Sequence, residues 1–393
     1  MKNSNHNDHD YKIKSIDKIL NDTSYHIEYN GYLANHSKHA PIALLRLGAN
    51  LNIINNFYNR YIKNTEIETQ KKSDYHICEE NWKEYLGKKS SFNSYYNFFK
   101  NKIEINGLSK VLIDFIPILI PGWMGSLAHG TIHLGWALDI KNKCMISEGL
   151  AYICYSFLSC HPEKIEAGTE NTKTFDSPLE SFLNILEDIN KEPTQFKEYI
   201  QDLIDKEKIE NNFYIHPNIN RMSNQFKIAA LLNYEHLLIY QDQKWFKNSN
   251  IDKVWDELFY LVTLIYLYYP SNFICLHLIT SLHAIKEISF YLNQHEEQKC
   301  IKNYWIGMNC VLFSLESLPN KDLFKNLIKK NNNNFDKYDD PKIQVYWTQI
   351  IEKAYLEKEE HNPKLVYVLK KLWEENNFKS VFRLAAGNFI ESS

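Results

Sequence analysis

Residues 127–139 read LAHGTIHLGWALD and close the longest apolar run of the chain. The apolar residues here and on either side predict a helix, in which successive residues turn by about 100°. His129 and His133 then leave the same side of that helix one turn apart, a spacing that suits two ligands of one metal ion. A buried histidine is often only a hydrogen-bonded core residue, so the pair alone leaves both readings open.

The composition narrows the choice. With 393 residues, of which 44% are hydrophobic and 14% aromatic, the chain has enough apolar surface for a large core. A net charge of -3 gives no basic footprint for nucleic acid or an acidic membrane. Seven cysteines, an odd number with no C-x-x-C, read as free thiols of a reducing compartment. The polar N-terminus MKNSNHNDHDYKIK has no apolar core of a signal peptide, and the expected location is cytoplasmic. Two membrane-like stretches, VLIDFIPILIPGWMGSLA and LFYLVTLIYLYY, are interrupted or too short to span and are read as buried core helices.

Along the chain, residues 1–14 are read as a polar tail and 15–393 as one helical domain. Helices are expected over 37–47 and from 51 to about 62, with His36 at or just before the first. The aromatic text of 82–96 is read as core packing. Further helices are expected after Cys144, through FKIAALLNYEHLLIYQ, up to Tyr269, and from FICLHLITSLHAIKEISFYL onward. His161–Pro178 and Asn211–Asn220 read as connections and KKNNNN at 329–334 as a low-complexity loop. In EEHNPKLVYVLKKLWEE, Asn362 is the expected N-cap and Pro363 the first helical residue. No stretch alternates with period two, so the fold class is all-α: a large multi-helix single domain with a buried pocket.

No G-x-G occurs among the twelve glycines, and the usual dinucleotide fingerprint is missing. What remains is a set of histidines on or beside apolar helices. His277 and His283 are six apart, about 600° of rotation, and cannot both point at one ion. His39, His76 and His161 are given surface or structural roles, and His6, His9, His216 and His295 are read as solvated. Spacing alone reads Lys364 as a lysine snorkelling to water. In a dry pocket it would lose its proton, and a neutral amine takes up carbon dioxide to become an anionic oxygen ligand.

Six stretches in order, NHSKHAPIALLRLGA (35–49), WKEYLGK (82–88), AHGTIHLGWALD (128–139), EGLAY (148–152), LHLITSLHAIK (276–286) and HNPKL (361–365), resemble the questin oxidase-like family. The resemblance implies a helical oxygenase that opens a ring of an anthraquinone-type polyketide by Baeyer-Villiger-like carbon-carbon cleavage. It also implies non-haem iron(II), with dioxygen as co-substrate and an external NADPH reductant left open. Carried onto this chain, the implied ligands are His36, His129, His133, His277 and a carboxylated Lys364. His283 and His361 are placed beside them as proton-handling groups.

The sequence departs from the family pattern in two places. His133 stands where many bacterial relatives carry arginine, and Pro363 where an aliphatic residue is commoner. The partner implied is a small aromatic molecule, with no nucleic acid and no membrane span. Two other classes fit the residues: a helical binding protein for an apolar ligand, and a metal-dependent hydrolase built on the same imidazole and lysine chemistry.

Overall fold

In a computed structural model, residues 14–70, 72–165, 174–210, 223–234, 238–248 and 250–391 are described. Residues 1–13 of the expected tail, with His6 and His9, and His216 with the connection over 211–220 lie outside them, while Lys14, placed in the tail by the sequence reading, opens a helix. The architecture is all-α. Helix α1 covers residues 14–20, and a two-strand antiparallel hairpin, β1 (Glu28–Tyr29) and β2 (Leu33–Ala34), pairs Glu28 with Ala34. There follow α2 (His39–Arg46), α3 (Leu51–Asn64), α4 (Phe92–Asn106), α5 (Leu108–Leu119), α6 (His129–Asp139) and α7 (Lys143–Tyr155). The middle of the chain forms α8 (Pro178–Lys191), α9 (Pro193–Glu210), α10 (Asn224–Asn233), α11 (Ile251–Tyr268), α12 (Phe273–Ser289) and α13 (Gln294–Phe313). The last helices are α14 (Lys321–Asn331), α15 (Pro341–Leu356), α16 (His361–Glu375) and α17 (Ser380–Glu391).

Most helices begin on a short polar side chain that accepts from a first-turn amide. Asn50 does so for α3, Asn142 for α7, Ser177 for α8, Asn272 for α12 and Asn293 for α13. Each such cap is worth about 1 kcal/mol.

Helix α6 is the centre of the molecule. Every residue from His129 to Leu138 is buried, as expected of a helix with neighbours on all sides. It packs between α7 and α12, α4 backs α7, and α16 closes the assembly against α2 and α12. Glycines permit these approaches. A β carbon at Gly130 would fall 2.7 Å from Ile153 N, and one at Gly135 would fall 2.4 Å from Ala284 Cβ. Because α2 and α16 touch, residues near both ends of the chain meet beside α6.

Three local expectations are corrected. α14 continues through Asn331, so the first half of KKNNNN is helical. α10 ends at Asn233, inside the stretch expected to be one helix to residue 241. α16 starts at His361 rather than after Asn362, because the Glu359 carboxylate takes the amides of His361 (2.7 Å) and Asn362 (3.0 Å) while the Asn362 side chain donates to Glu357. Pro363 thereby becomes the third helical residue, still within the turn whose amides have no intrahelical partner. The membrane-like stretches are core helices, and no described helix is long and apolar enough to cross a membrane.

Candidate metal centre

Four separate segments bring their polar groups to one buried point. Nitrogens of His36, His129 and His361 lie within 4.8 Å of one another. His277 joins through an Nε2 to Nε2 separation of 3.3 Å from His129, with its ring 4.9 Å from that of His361. Lys364 Nζ reaches to 3.0 Å from His36 Nδ1. The snorkelling reading of Lys364 is thereby corrected: the residue is 2% exposed, because α16 presents it to α2 and not to solvent.

Each histidine is placed by its own backbone. His36 precedes α2 and its amide donates to the Tyr61 hydroxyl (2.9 Å). His129 opens α6 after three consecutive left-handed residues, Ser126, Leu127 and Ala128, with φ of 48°, 54° and 65°. None is glycine, and each costs about 1–2 kcal/mol in that conformation. The arch is held by buried Glu28, which accepts from the Ser126 hydroxyl (2.5 Å), from Tyr152 (2.9 Å), from Tyr155 (3.1 Å) and from Lys89 (2.8 Å). His277 lies in the first turns of α12, and His361 is the first residue of α16.

Hydrogen bonding fixes which nitrogens face inward. His129 Nδ1 donates to the Ser126 carbonyl (2.5 Å), His277 Nδ1 to the Phe273 carbonyl (2.7 Å), and His361 Nδ1 pairs with Glu359. A neutral imidazole has one N–H, so His129 and His277 turn a bare Nε2 to the centre, and His361 does so with Glu359 ionised. His361 Nε2 is buried without a partner. The Nε2 atoms of His129 and His277 then oppose two lone pairs across 3.3 Å, a repulsive contact that a shared cation relieves. Two ligands about 2.1 Å from an ion and about 100° apart stand about 3.2 Å from each other. The donor set therefore fits a first-row transition metal, for which imidazole is a common ligand.

Electrostatics keep the donors ready. Burial, reinforced by the Lys364 charge, holds His36 and His361 well below the usual imidazole range. Burial likewise lowers His277, and brings His129 to about 4. Neutral imidazole is the form that binds metal. Burial also pulls Lys364 down to about 8 against the opposing pull of Glu360 and Glu359.

Two expected site residues lie elsewhere. Both ring nitrogens of His133 are engaged, Nδ1 with His39 Nε2 at 2.9 Å and Nε2 with Glu148 Oε2 at 3.2 Å. His283 sits on another face of α12, 3.9 Å from Glu287 and edge-on to Trp136 and Tyr367. The distance in sequence between His277 and His283 thus has the angular consequence anticipated for it.

His39, given a surface or structural role from the sequence, is 1% exposed and stands between His36 and His133. The H-x-x-H spacing of His36 and His39 was the available signal. Glu359 and Glu148 were also missed as partners of site histidines. Glu148 is clasped by Lys38 at 2.7 Å on both oxygens. Burial alone would raise its carboxyl, but Lys38 and His133 outweigh that and hold it below the usual range.

Among known proteins, the profile of the questin oxidase-like family matches residues 33–369. A search of curated proteins finds no match. The matched span runs from β2 into α16 and contains all the converging histidines together with Lys364. By this match, over most of its length, the chain belongs to the questin oxidase-like family.

Proposed function

We propose that the protein is a metal-dependent oxygenase that cleaves a ring carbon-carbon bond of an aromatic, quinone-like polyketide in a Baeyer-Villiger-like sense. The observation that carries the reading is the opposed Nε2 pair of His129 and His277, 3.3 Å apart, beside the unpartnered Nε2 of His361 in a member of an oxidase family. His36, His129, His277 and His361 are the proposed histidine ligands. His361 takes the place that the sequence reading gave to His133.

Lys364 completes the set as a carbamate. Its neutral amine forms an N–C bond to carbon dioxide, releases a proton and presents an anionic oxygen. Iron(II) is the proposed metal, and when bound it supplies the activation of dioxygen.

The chain's own residues do the rest. Glu359 accepts from His361 Nδ1 and, with the Ser126 and Phe273 carbonyls, fixes the ligand tautomers, a supporting layer whose loss typically costs about 10- to 100-fold in metal affinity. Burial of the histidines keeps bulk water from the reacting centre. Phe273 is 47% exposed, and its ring lies 4.4 Å from that of His277 and 4.6 Å from that of His361. It is the proposed platform on which a flat aromatic substrate stacks at the mouth of the site.

Oxygen insertion of this kind takes two electrons and two protons from an external reductant, proposed to be NADPH, to carry the second oxygen atom to water. The test is oxygen uptake and product analysis with a hydroxyanthraquinone, NADPH and iron-loaded protein, alongside His129→Ala. Ring-opened product from the wild type alone supports the reading. An iron-loaded wild type that consumes no oxygen with any hydroxyanthraquinone removes the substrate class, and full turnover by His129→Ala removes the site.

A further inference from the structure

Behind the proposed ligands runs a buried file of polar groups whose contacts are satisfied by a single proton arrangement when each imidazole is neutral. Lys38 Nζ lies 2.7 Å from both oxygens of Glu148, so the carboxylate is ionised and can only accept. His133 Nε2, 3.2 Å from Glu148 Oε2, must therefore carry its hydrogen. With one N–H per neutral ring, His133 Nδ1 is bare, and the 2.9 Å contact takes its hydrogen from His39 Nε2. His39 Nδ1 is then bare in turn. The 3.2 Å contact between His39 Nδ1 and His36 Nδ1 takes its hydrogen from His36.

His36 is left with a bare Nε2, like His129, His277 and His361. Lys364 Nζ, 3.0 Å from His36 Nδ1, is a second acceptor for the same hydrogen as the neutral amine, before carbon dioxide is taken up; once it is a carbamate its nitrogen has no free lone pair, and His39 Nδ1 is the acceptor. Reversing the file would point a lone pair of His133 at a buried carboxylate with no hydrogen between them.

We infer that Glu148, acting through His133 and His39, sets the tautomer of His36 and is a positioning residue for the metal centre, an inference that rests on the metal reading above. The usual carboxylate to histidine to metal arrangement has one imidazole between acid and ion. Here three imidazoles, His133, His39 and His36, connect a carboxylate on α7 to a nitrogen that faces the ligands on α6 and α16. Lys38 has a matching part: by pairing with both oxygens it keeps Glu148 an acceptor.

The direct test is long-range proton–nitrogen NMR of protein labelled with nitrogen-15 at histidine, metal-free and zinc-loaded, with signals assigned by single substitutions. The expected pattern in both states is Nε2–H at His39 and His133 and Nδ1–H at His36. His133→Phe leaves the Lys38–Glu148 pair intact and cuts the file. It should give His36 a mixture of tautomers and weaken zinc about 10- to 100-fold. His39→Phe cuts the file at another point and should do the same, so that a folding failure of one variant leaves the other to decide.

Nδ1–H at His39 or His133 in the wild type would overturn the inference. So would an unchanged His36 tautomer and unchanged zinc affinity in the variants. The expected tautomers in a wild type that binds no metal would support the relay and overturn the metal reading instead.

Discussion

Replacing Gly135 with alanine tests whether the packing of α6 on α12 sets the site. An added β carbon would come 2.4 Å from Ala284 Cβ and 2.5 Å from Ala284 Cα. Carbon atoms in contact settle about 3.5–4.0 Å apart, so the two helices must separate by about 1 Å or more. No rotamer change can relieve a clash with a backbone carbon. His129 is six residues from Gly135, about 9 Å along the same helix, and His277 is on the other helix of the pair. The 3.3 Å separation of their Nε2 atoms would open beyond about 4 Å, against a tolerance of about 0.5 Å for a working site.

The energies compete. Alanine is the better helix former by about 1 kcal/mol, whereas overpacking costs about 1–3 kcal/mol, and a rigid backbone neighbour puts this position at the upper end. The net loss of about 2 kcal/mol lowers the melting temperature by only about 2–3 °C in a chain of this length. Cobalt(II) affinity is the sharper assay, with a loss of at least tenfold expected. Ala284→Gly in the same background removes the 2.4 Å contact but leaves the 2.5 Å one, so rescue should be partial. A Gly135→Ala protein that melts at or above the wild type and binds cobalt as tightly would refute the reasoning.

Two further outcomes follow from the structure. Phe273→Ala should raise KM for an aromatic substrate by about two- to tenfold while metal content stays unchanged, since stacking of one aromatic pair is worth about 0.5–1.5 kcal/mol; steady-state kinetics with metal analysis checks both halves. Asp336 accepts from Arg383 on both oxygens (2.7 and 2.8 Å), from Ser380 (2.8 Å) and from Trp373 (2.8 Å), and these donors outweigh burial to hold its carboxyl below the usual range. Its folded pKa lies below the unfolded value of about 3.9, so its stabilisation is fully present above about pH 4 and is lost as pH falls through the folded pKa. Asp336→Asn should therefore cost about 2–3 kcal/mol at neutral pH and flatten the acid limb of stability measured by denaturant titration across pH.

Much of the helical plan was legible because its signals are local. Pro270-Ser271-Asn272 marks the break before α12, Asn272 caps it, and the spacing of His277 and His283 sends them to different sides. The site was legible in its residue types and only partly in its geometry. The sequence reading gave His133 as a ligand and His361 as a proton-handling group; what the text could not carry is that Glu359 pairs with Nδ1 of His361, while His39 and Glu148 engage both nitrogens of His133.

Other features depend on distant partners and leave no local trace. The left-handed arch of Ser126, Leu127 and Ala128 contains no glycine to announce it and exists because Glu28, a hundred residues earlier, holds Ser126. Lys364 has the angular position of a snorkelling lysine, and only the contact of α16 with α2 closes its route to water. Gly130 and Gly135 read as ordinary helix glycines until Ile153 and Ala284 are seen against them.

The central claim is that residues from both ends of the chain share one ion. Elemental analysis of purified, untagged protein, repeated for His36→Ala and His277→Ala, tests it most directly. The account predicts close to one iron per chain in the wild type and its loss in both variants. Full iron retention in either variant, or a wild type that stays metal-free after anaerobic reconstitution with iron(II), would contradict it.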